Sequence, residues 1–176
     1  MTLSCIQQPH QHLNANLDNG VLTLAIHRPE AKNALYGELY LKIAQALDEA
    51  DQDKDVRVVI LRGEDADFSA GNDMQDFMKF IQTPLAGKAG DAPPFVVLIG
   101  VTILLHADLV YSDSTALFQI PFVSLGLSPE GASSKLLIQQ AGYHKAAELL
   151  FTAQKFNSDK ALSAGIVNSI EDDVYA

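Results

Sequence analysis

Val58-Val59-Ile60-Leu61-Arg62-Gly63, followed by Phe68-Ser69-Ala70-Gly71-Asn72-Asp73-Met74, is the stretch whose reading decides the fold. Its first part is a continuous apolar, β-branched run, which predicts a buried strand. The second part is a turn of small residues leading into a helix from Asp73 to about Phe80. Gly71 lets a ligand approach the backbone closely. Amide N–H groups at a helix start have no partner within the helix, so they can receive an oxyanion or a phosphate. An ordinary strand-to-helix connection would read the same way. The turn therefore gains chemical meaning only beside a second feature.

That feature is Glu130, in Leu125-Gly126-Leu127-Ser128-Pro129-Glu130-Gly131-Ala132-Ser133-Ser134, just ahead of the apolar run Leu136, Leu137, Ile138. Phe118, Ile120, Phe122, Leu125 and Leu127 are its apolar neighbours in sequence. A carboxylate in such surroundings holds its proton more tightly, which moves it towards the range useful for proton transfer. A purely structural role is the alternative: Ser128 as an N-cap, Pro129 as the first helical residue and Glu130 as a first-turn acid facing the helix dipole.

Outward from these segments the chain reads as α/β. Leu13 to Leu17 and Val21 to His27 form a predicted hairpin about Asp18-Asn19-Gly20, with Asn-Gly as the turn signal. Tyr36 to about Gln52 reads as an amphipathic helix with Leu39, Ile43, Ala46, Leu47 and Ala50 on one stripe. A strand is expected over Val56 to Arg62, and a Gly/Pro/Ala-rich loop from Thr83 to Pro94. Ile103 to His106 should end a helix, with a short strand at Leu109 to Tyr111. Helices follow over Ala132 to Gln140, His144 to Phe151 and Ser158 to Ala164, the last closed by Gly165, then a strand from Ile166 to Ser169.

With 176 residues, the chain is expected to form one domain burying about 70% of its unfolded surface. Hydrophobic residues make up 48% and charged residues 19%, the balance of a globular protein. The net charge of −10 argues against nucleic-acid and anionic-membrane partners. The single cysteine, Cys5, excludes an internal disulfide, and neither a CxxC pair nor a His cluster suggests a metal. No signal-peptide pattern is present, and the run Phe95 to Leu105 is too short to span a bilayer. An intracellular, cytoplasmic protein is the expectation.

Together the segments resemble the enoyl-CoA hydratase/isomerase (crotonase) superfamily. Ile26-His27-Arg28-Pro29-Glu30-Ala31-Lys32-Asn33-Ala34-Leu35 is similar to the family's N-R-P-x-x-x-N-A-L segment. Phe68 to Met74 looks like its oxyanion-hole turn, and Ala107-Asp108-Leu109 follows in the family's order. Ala161-Leu162-Ser163-Ala164-Gly165-Ile166-Val167-Asn168 resembles its A-x-x-x-G-L-V-N signature. The resemblance implies an α/β fold, a spiral of β-β-α units with helices packed around it, in a single core domain over residues 1–176. Family hydratases carry two glutamates, one expected near Thr102 and one near Phe122; neither position is acidic here. Asn72 and Glu130 instead resemble the peroxisomal-type Δ3,Δ2-enoyl-CoA isomerase branch, in which one glutamate at the Ser-Pro-Glu position is the base.

The resemblance therefore implies an isomerase acting on an acyl-CoA thioester. Glu130 would be the base and later the acid, and the Ala70 backbone N–H the first oxyanion donor. The Ile99/Gly100 loop would supply the second donor. Ala70, Gly71, Asn72, Asp73 and Met74, with Ala34 nearby, would hold the CoA portion. Arg28 and Lys32 are the nearest cations for its phosphates, and Phe122 and Leu127 would receive the acyl chain. No cofactor is implied, because coenzyme A is part of the substrate. A homotrimer or dimer of trimers is implied as the assembly. A hydratase or another crotonase-type acyl-CoA enzyme is the alternative, and a non-catalytic acyl-CoA-binding or assembly subunit is a second.

The chain departs from the family pattern in two places. Family members continue past Ala176 with further helices. Between Val97-Leu98 and Ile99-Gly100-Val101 the family has a strand and a Gly-rich loop that are missing here. Losing a central strand leaves its neighbours' polar groups unpaired, which is costly. The chain is therefore expected to lack an internal segment at 98/99; Cα atoms about 3.8 Å apart across that step, as in any trans peptide, would speak against it.

Overall fold

Hairpin formation at Asn19-Gly20 starts the fold. Both residues take positive φ, 48° and 81°, as a tight two-residue turn requires. The turn sets the register Asp18↔Val21 through Leu13↔Ile26 between antiparallel strands β1 (Leu13–Asp18) and β2 (Val21–Ile26). This computed structural model describes residues 3–64, 67–82 and 100–172. The chain falls into two compact units, Met1–Phe95 and Val96–Ala176. The expected 83–94 loop and the Leu98–Ile99 step lie outside the described residues, as does the candidate site residue Ile99.

In the first unit a short helix α1 (Ser4–Gln7) precedes the hairpin, and helix α2 (Gly37–Gln52) connects β2 to β3 (Val58–Gly63). β3 pairs parallel with β2, giving sheet order β1-β2-β3. A parallel return of this kind needs a crossover, which α2 supplies. The face of α2 that buries is Leu39, Ile43, Ala46 and Ala50, at helical spacing. Leu47, expected on that stripe, is 41% exposed instead; it sits one position past Ala46 on the stripe's shoulder. The stripe packs with Leu22, Leu24 and Ile26 of β2 and with Leu13 and Leu35 in one core. Burying each such leucine or isoleucine stabilises the fold by about 1.5–3 kcal/mol. Helix α3 (Met74–Gln82) follows the turn after β3.

The second unit opens with α4 (Gly100–Leu104). Strand β4 (Tyr111–Ser112) pairs parallel with β7 (Ser169–Ile170), and β5 (Leu117–Phe118) pairs antiparallel with β6 (Phe156–Asn157). The Phe118 and Phe156 rings stack at 5.5 Å across the latter pair. Helices α5 (Ser133–Ala141) and α6 (Tyr143–Thr152) are joined at Gly142, which has φ 78°. Helix α7 (Ser158–Ser163) is capped by the Asn157 side chain, which accepts from the Lys160 N–H. The core here includes Ile120, Phe122, Leu137, Ala146 and Ala161, each fully buried.

Three strand expectations shift. Val58 and Ile60, read as part of a buried strand, are exposed, because β3 stands at the end of the described sheet. Leu109 is 61% exposed, and the strand expected there begins at Tyr111. Ile166 and Val167 are buried without being strand residues, and only Ser169–Ile170 forms the ladder. The link between these segments is Asn168: its Oδ1 accepts from the Val110 N–H at 2.7 Å and its N–H donates to the Val110 carbonyl at 2.8 Å. A side chain thus does part of what a longer ladder would do.

Candidate active site

Asn33 organises the candidate residues of the first unit. It is 1% exposed and has φ 56°, next to Lys32 at φ 49°. Two left-handed residues in succession turn the backbone sharply, and asparagine tolerates that conformation. Asn33 Oδ1 accepts from the Arg28 N–H at 2.7 Å, and its Nδ2 donates to the Asp67 carbonyl at 2.6 Å. Its own carbonyl accepts from Ser69 Oγ at 2.8 Å, and Ser69 Oγ accepts from the Gly71 N–H at 3.1 Å. The segments Arg28 to Leu35 and Asp67 to Asp73 are thereby held side by side. A short parallel bridge between Leu35 and Asn72 completes the join, with Leu35 N–H donating to Gly71 and Asp73 N–H to Leu35. Tyr40 Oη donates to Asn72 Oδ1 at 2.5 Å.

Several expected roles change in this arrangement. The Ala70 N–H, expected to be unpaired, donates to the Lys32 carbonyl at 2.8 Å. The start of α3 is not open to an anion either, because Asp73 Oδ1 accepts from the Gln75 and Asp76 N–H groups at 2.9 and 3.0 Å. Arg28 is not a spare cation. Its guanidinium pairs with Asp73 at 2.8 Å, donates to the Ala34 carbonyl at 2.9 Å and lies 5.0 Å from the centre of the Tyr36 ring. The Asp76 N–H and, after it, Arg28 hold the Asp73 carboxyl below the usual aspartate range, against the opposing effect of burial. Lys32 and Met74 are exposed, whereas Ala34 and Gly71 are buried.

Tyr36 also closes a ring of hydrogen bonds with two histidines. The His12 N–H donates to His10 Nδ1 at 3.1 Å, so neutral His10 carries its proton on Nε2. That Nε2 is 3.2 Å from Tyr36 Oη and donates to it. The Tyr36 hydroxyl then gives its own proton to His12 Nδ1, 2.9 Å away. His12 Nε2–H faces Glu30 at 3.8 Å and His10 Nε2 faces Glu38 at the same distance. The cycle requires both imidazoles neutral, and burial lowers the His12 pKa.

In the second unit Glu130 does not lie in a helix. Helix α5 begins at Ser133, its N-cap is Ala132 in the left-handed region, and no side chain caps it. The structural alternative with Ser128 as cap and Pro129 as first helical residue is thus incorrect. The physical reason is the Gly131–Ala132 pair, at φ 59° and 55°, which breaks the backbone between Glu130 and the helix. Glu130 is half-buried, and burial raises its pKa above the usual glutamate value. Phe122 is fully buried, so it belongs to the core and presents no open wall to an acyl chain; Leu127 is half-buried. Gly100 is buried at the first position of α4, and Thr102 is fully buried in the same helix.

Sequence reasoning missed three contributors. Tyr36 and Tyr40 gave no signal beyond helix-edge and helix positions. His106, one of five scattered histidines, donates from Nε2 to the Gly131 carbonyl at 2.8 Å.

Comparison with known proteins identifies the family. The model of the enoyl-CoA hydratase/isomerase family matches residues 16–88 and 97–174. Human enoyl-CoA delta isomerase 2 is 30% identical over 175 residues, covering 87% of this chain and 44% of that protein. The chain thus spans less than half the length of this relative. The 1,2-epoxyphenylacetyl-CoA isomerase of Escherichia coli K12 is 25% identical over 181 residues, covering 90% of this chain and 69% of that protein. Among solved structures, one described as an enoyl-CoA hydratase/isomerase from Acinetobacter baumannii is 68% identical with a TM-score of 0.89. The match covers 94% of this chain and 75% of that one, so the fold is the crotonase-type α/β fold. The names of relatives at similar identity include both hydratases and isomerases. By motif order, fold and family match, this chain belongs to the enoyl-CoA hydratase/isomerase family.

Proposed function

We propose that the chain is an isomerase that moves the double bond of a 3-enoyl-CoA to the 2 position by a 1,3-proton transfer. The observation that carries this reading is the environment of Glu130. It is a half-buried carboxyl whose pKa burial raises, and the two positions where family hydratases carry acids hold fully buried Thr102 and Phe122. A single base suffices for this reaction and water is not consumed. The thioester carbonyl acidifies C2; Glu130 takes the C2 proton, and the electron pair delocalises into a dienolate with negative charge on oxygen. The same carboxyl then returns the proton at C4, leaving the conjugated product. Backbone N–H donors stabilise the oxyanion, each by about 2.7–4 kcal/mol. Ala70 is one and the Ile99/Gly100 segment the other. For Ala70 to act, its N–H exchanges the Lys32 carbonyl for the thioester oxygen.

The turn Gly71 to Met74, with Ala34, supports the CoA moiety, and Leu127 contributes to the acyl site. No further cofactor takes part. The assembly is a homotrimer or dimer of trimers, which the exposed apolar side chains Leu117, Tyr143 and Phe151 support, at 71%, 65% and 68% exposure. The name of the human relative agrees with the isomerase reading, and the hydratases among the relatives keep hydration as the second reading.

Incubation with a trans-3-enoyl-CoA tests the proposal by absorbance of the conjugated 2-enoyl-CoA. Conversion without 3-hydroxyacyl-CoA is expected. Accumulation of 3-hydroxyacyl-CoA would make the protein a hydratase, and CoA binding with no conversion would make it a binding subunit.

A further inference from the structure

The geometry points to His106 as a positioning residue for Glu130, acting through the Gly131 carbonyl; this rests on Glu130 being the base. Between Glu130 and α5 the backbone passes through two left-handed residues, Gly131 and Ala132. Ala132 has a Cβ, and that conformation is disfavoured for it, so the turn persists only where surrounding bonds over-determine it. Three bonds hold the turn from the helix side. Ser133 N–H donates to the Glu130 carbonyl at 3.0 Å, and Lys135 and Leu136 N–H groups donate to the Ala132 carbonyl at 2.9 Å.

His106 supplies the bond from outside the turn. Its Nε2–H donates to the Gly131 carbonyl at 2.8 Å, in the Gly131–Ala132 peptide, one residue past Glu130 and between the two left-handed residues. The peptide after α4 that carries His106 is itself anchored, with His106 N–H donating to Ile103 and Leu105 N–H to Thr102. Gln140, near the other end of α5, donates to the Leu105 carbonyl at 3.3 Å. The end of α4 therefore grips α5 at both ends: through Leu105 near its C-terminus and through His106 at the turn that carries the carboxyl. The 1,3-transfer asks one carboxylate to reach two carbons in succession, so small errors in its placement are costly. A misplacement on the order of 1 Å can cost about 10²-fold in rate.

The test uses three substitutions at the exposed His106. His106→Leu removes the donor, and His106→Asn keeps polarity but is one bond too short to reach. Glutamine places its amide nitrogen where the imidazole Nε2 lies, so His106→Gln restores the bond. Leu and Asn are expected to lower isomerase kcat by up to about 10²-fold with little change in KM, and Gln to retain most of it. Asn carries the test if the leucine variant does not fold. Normal kcat in the folded Leu or Asn variant would overturn the proposal, as would a loss in Gln equal to that in Leu. Glu130→Gln is measured alongside. If it is inactive while His106→Leu is normal, only the role of His106 falls. If Glu130→Gln turns over normally, the base assignment itself falls.

Discussion

At the residue scale the structure changes what a substitution at Glu130 should do. The carboxyl stands ahead of α5 and not in its first turn, so no helix-dipole stabilisation is lost in Glu130→Gln. Burial instead favours its protonated form. A carboxyl whose folded pKa is raised stabilises the fold most below its ordinary value, and that contribution disappears as pH rises through the raised one. At neutral pH the ionised group is a small net burden. Glu130→Gln should therefore unfold at the same or a slightly higher urea midpoint at pH 7, while kcat falls by about 10²–10⁴-fold. In wild type, kcat/KM should decline on the acid side as the base is protonated, at a pH above the usual glutamate range. An acid limb at the ordinary value would contradict the burial argument. Gly63 makes a second residue-scale case. A Cβ there would collide with the Asp67 carbonyl, the acceptor for Asn33 Nδ2. Gly63→Ala should cost about 1–3 kcal/mol from overpacking and lower kcat as well, by displacing the turn at Ala70. Unchanged chemical denaturation in Gly63→Ala would show that the turn yields freely.

At the element scale the hydrogen-bonded ring of His10, His12 and Tyr36 includes a side chain that titrates. His12 is lowered by burial, with Glu30 opposing that effect and Arg28, His10 and His27 adding to it. A depressed histidine contributes stability above its unfolded pKa and loses it as pH falls through the folded value. Stability should thus decline on acidification between about pH 7 and pH 5, and His12→Gln should flatten that slope. Tyr36→Phe removes the hydroxyl that links both imidazoles and should cost about 1 kcal/mol at pH 7.5. Equal slopes in wild type and His12→Gln would remove the histidine ring from the account. The elements themselves were largely legible. Asn19-Gly20 marked the hairpin, and the stripe of Leu39, Ile43, Ala46 and Ala50 marked α2. Short strands were not, because two-residue ladders such as β4–β7 carry no periodicity, and a side chain, Asn168, extends the pairing. The start of α5 was misread because Ser128-Pro129 has the composition of a cap, while the conformation is decided downstream at Gly131–Ala132.

At the scale of the whole molecule, charge and assembly are the testable properties. The net charge of −10 repels an anionic CoA ester, and the Arg28 guanidinium is committed to Asp73. Long-range repulsion is screened by salt. KM for an enoyl-CoA should therefore stay flat or fall as ionic strength rises from about 0.01 to 0.15 M; a steep rise would reveal a dominant cationic phosphate site. Sedimentation should find a trimer or hexamer at micromolar concentration, and a stable monomer would remove the assembly proposal. The residues of the proposed site were named from the family pattern, in which a glutamate and a small-residue turn recur. Their partners were not. That Lys32 offers its carbonyl to Ala70, or Arg28 its guanidinium to Asp73, depends on the left-handed pair at Lys32 and Asn33, which composition does not dictate.

The Lys32–Ala70 bond has a consequence for selectivity. With Ala70 as the oxyanion donor, a substrate oxygen displaces an acceptor that is already present. A neutral thioester oxygen is no better an acceptor than the peptide carbonyl it replaces, so this exchange adds little to ground-state affinity. An enolate oxygen is charged, and hydrogen bonds to charged acceptors are roughly twice as strong. The competing carbonyl thus subtracts a fixed amount from both states and leaves a surplus only for the reacting one. In the proposed role, discrimination comes from the charge on the enolate, and the rival carbonyl removes only the donor's share of substrate binding.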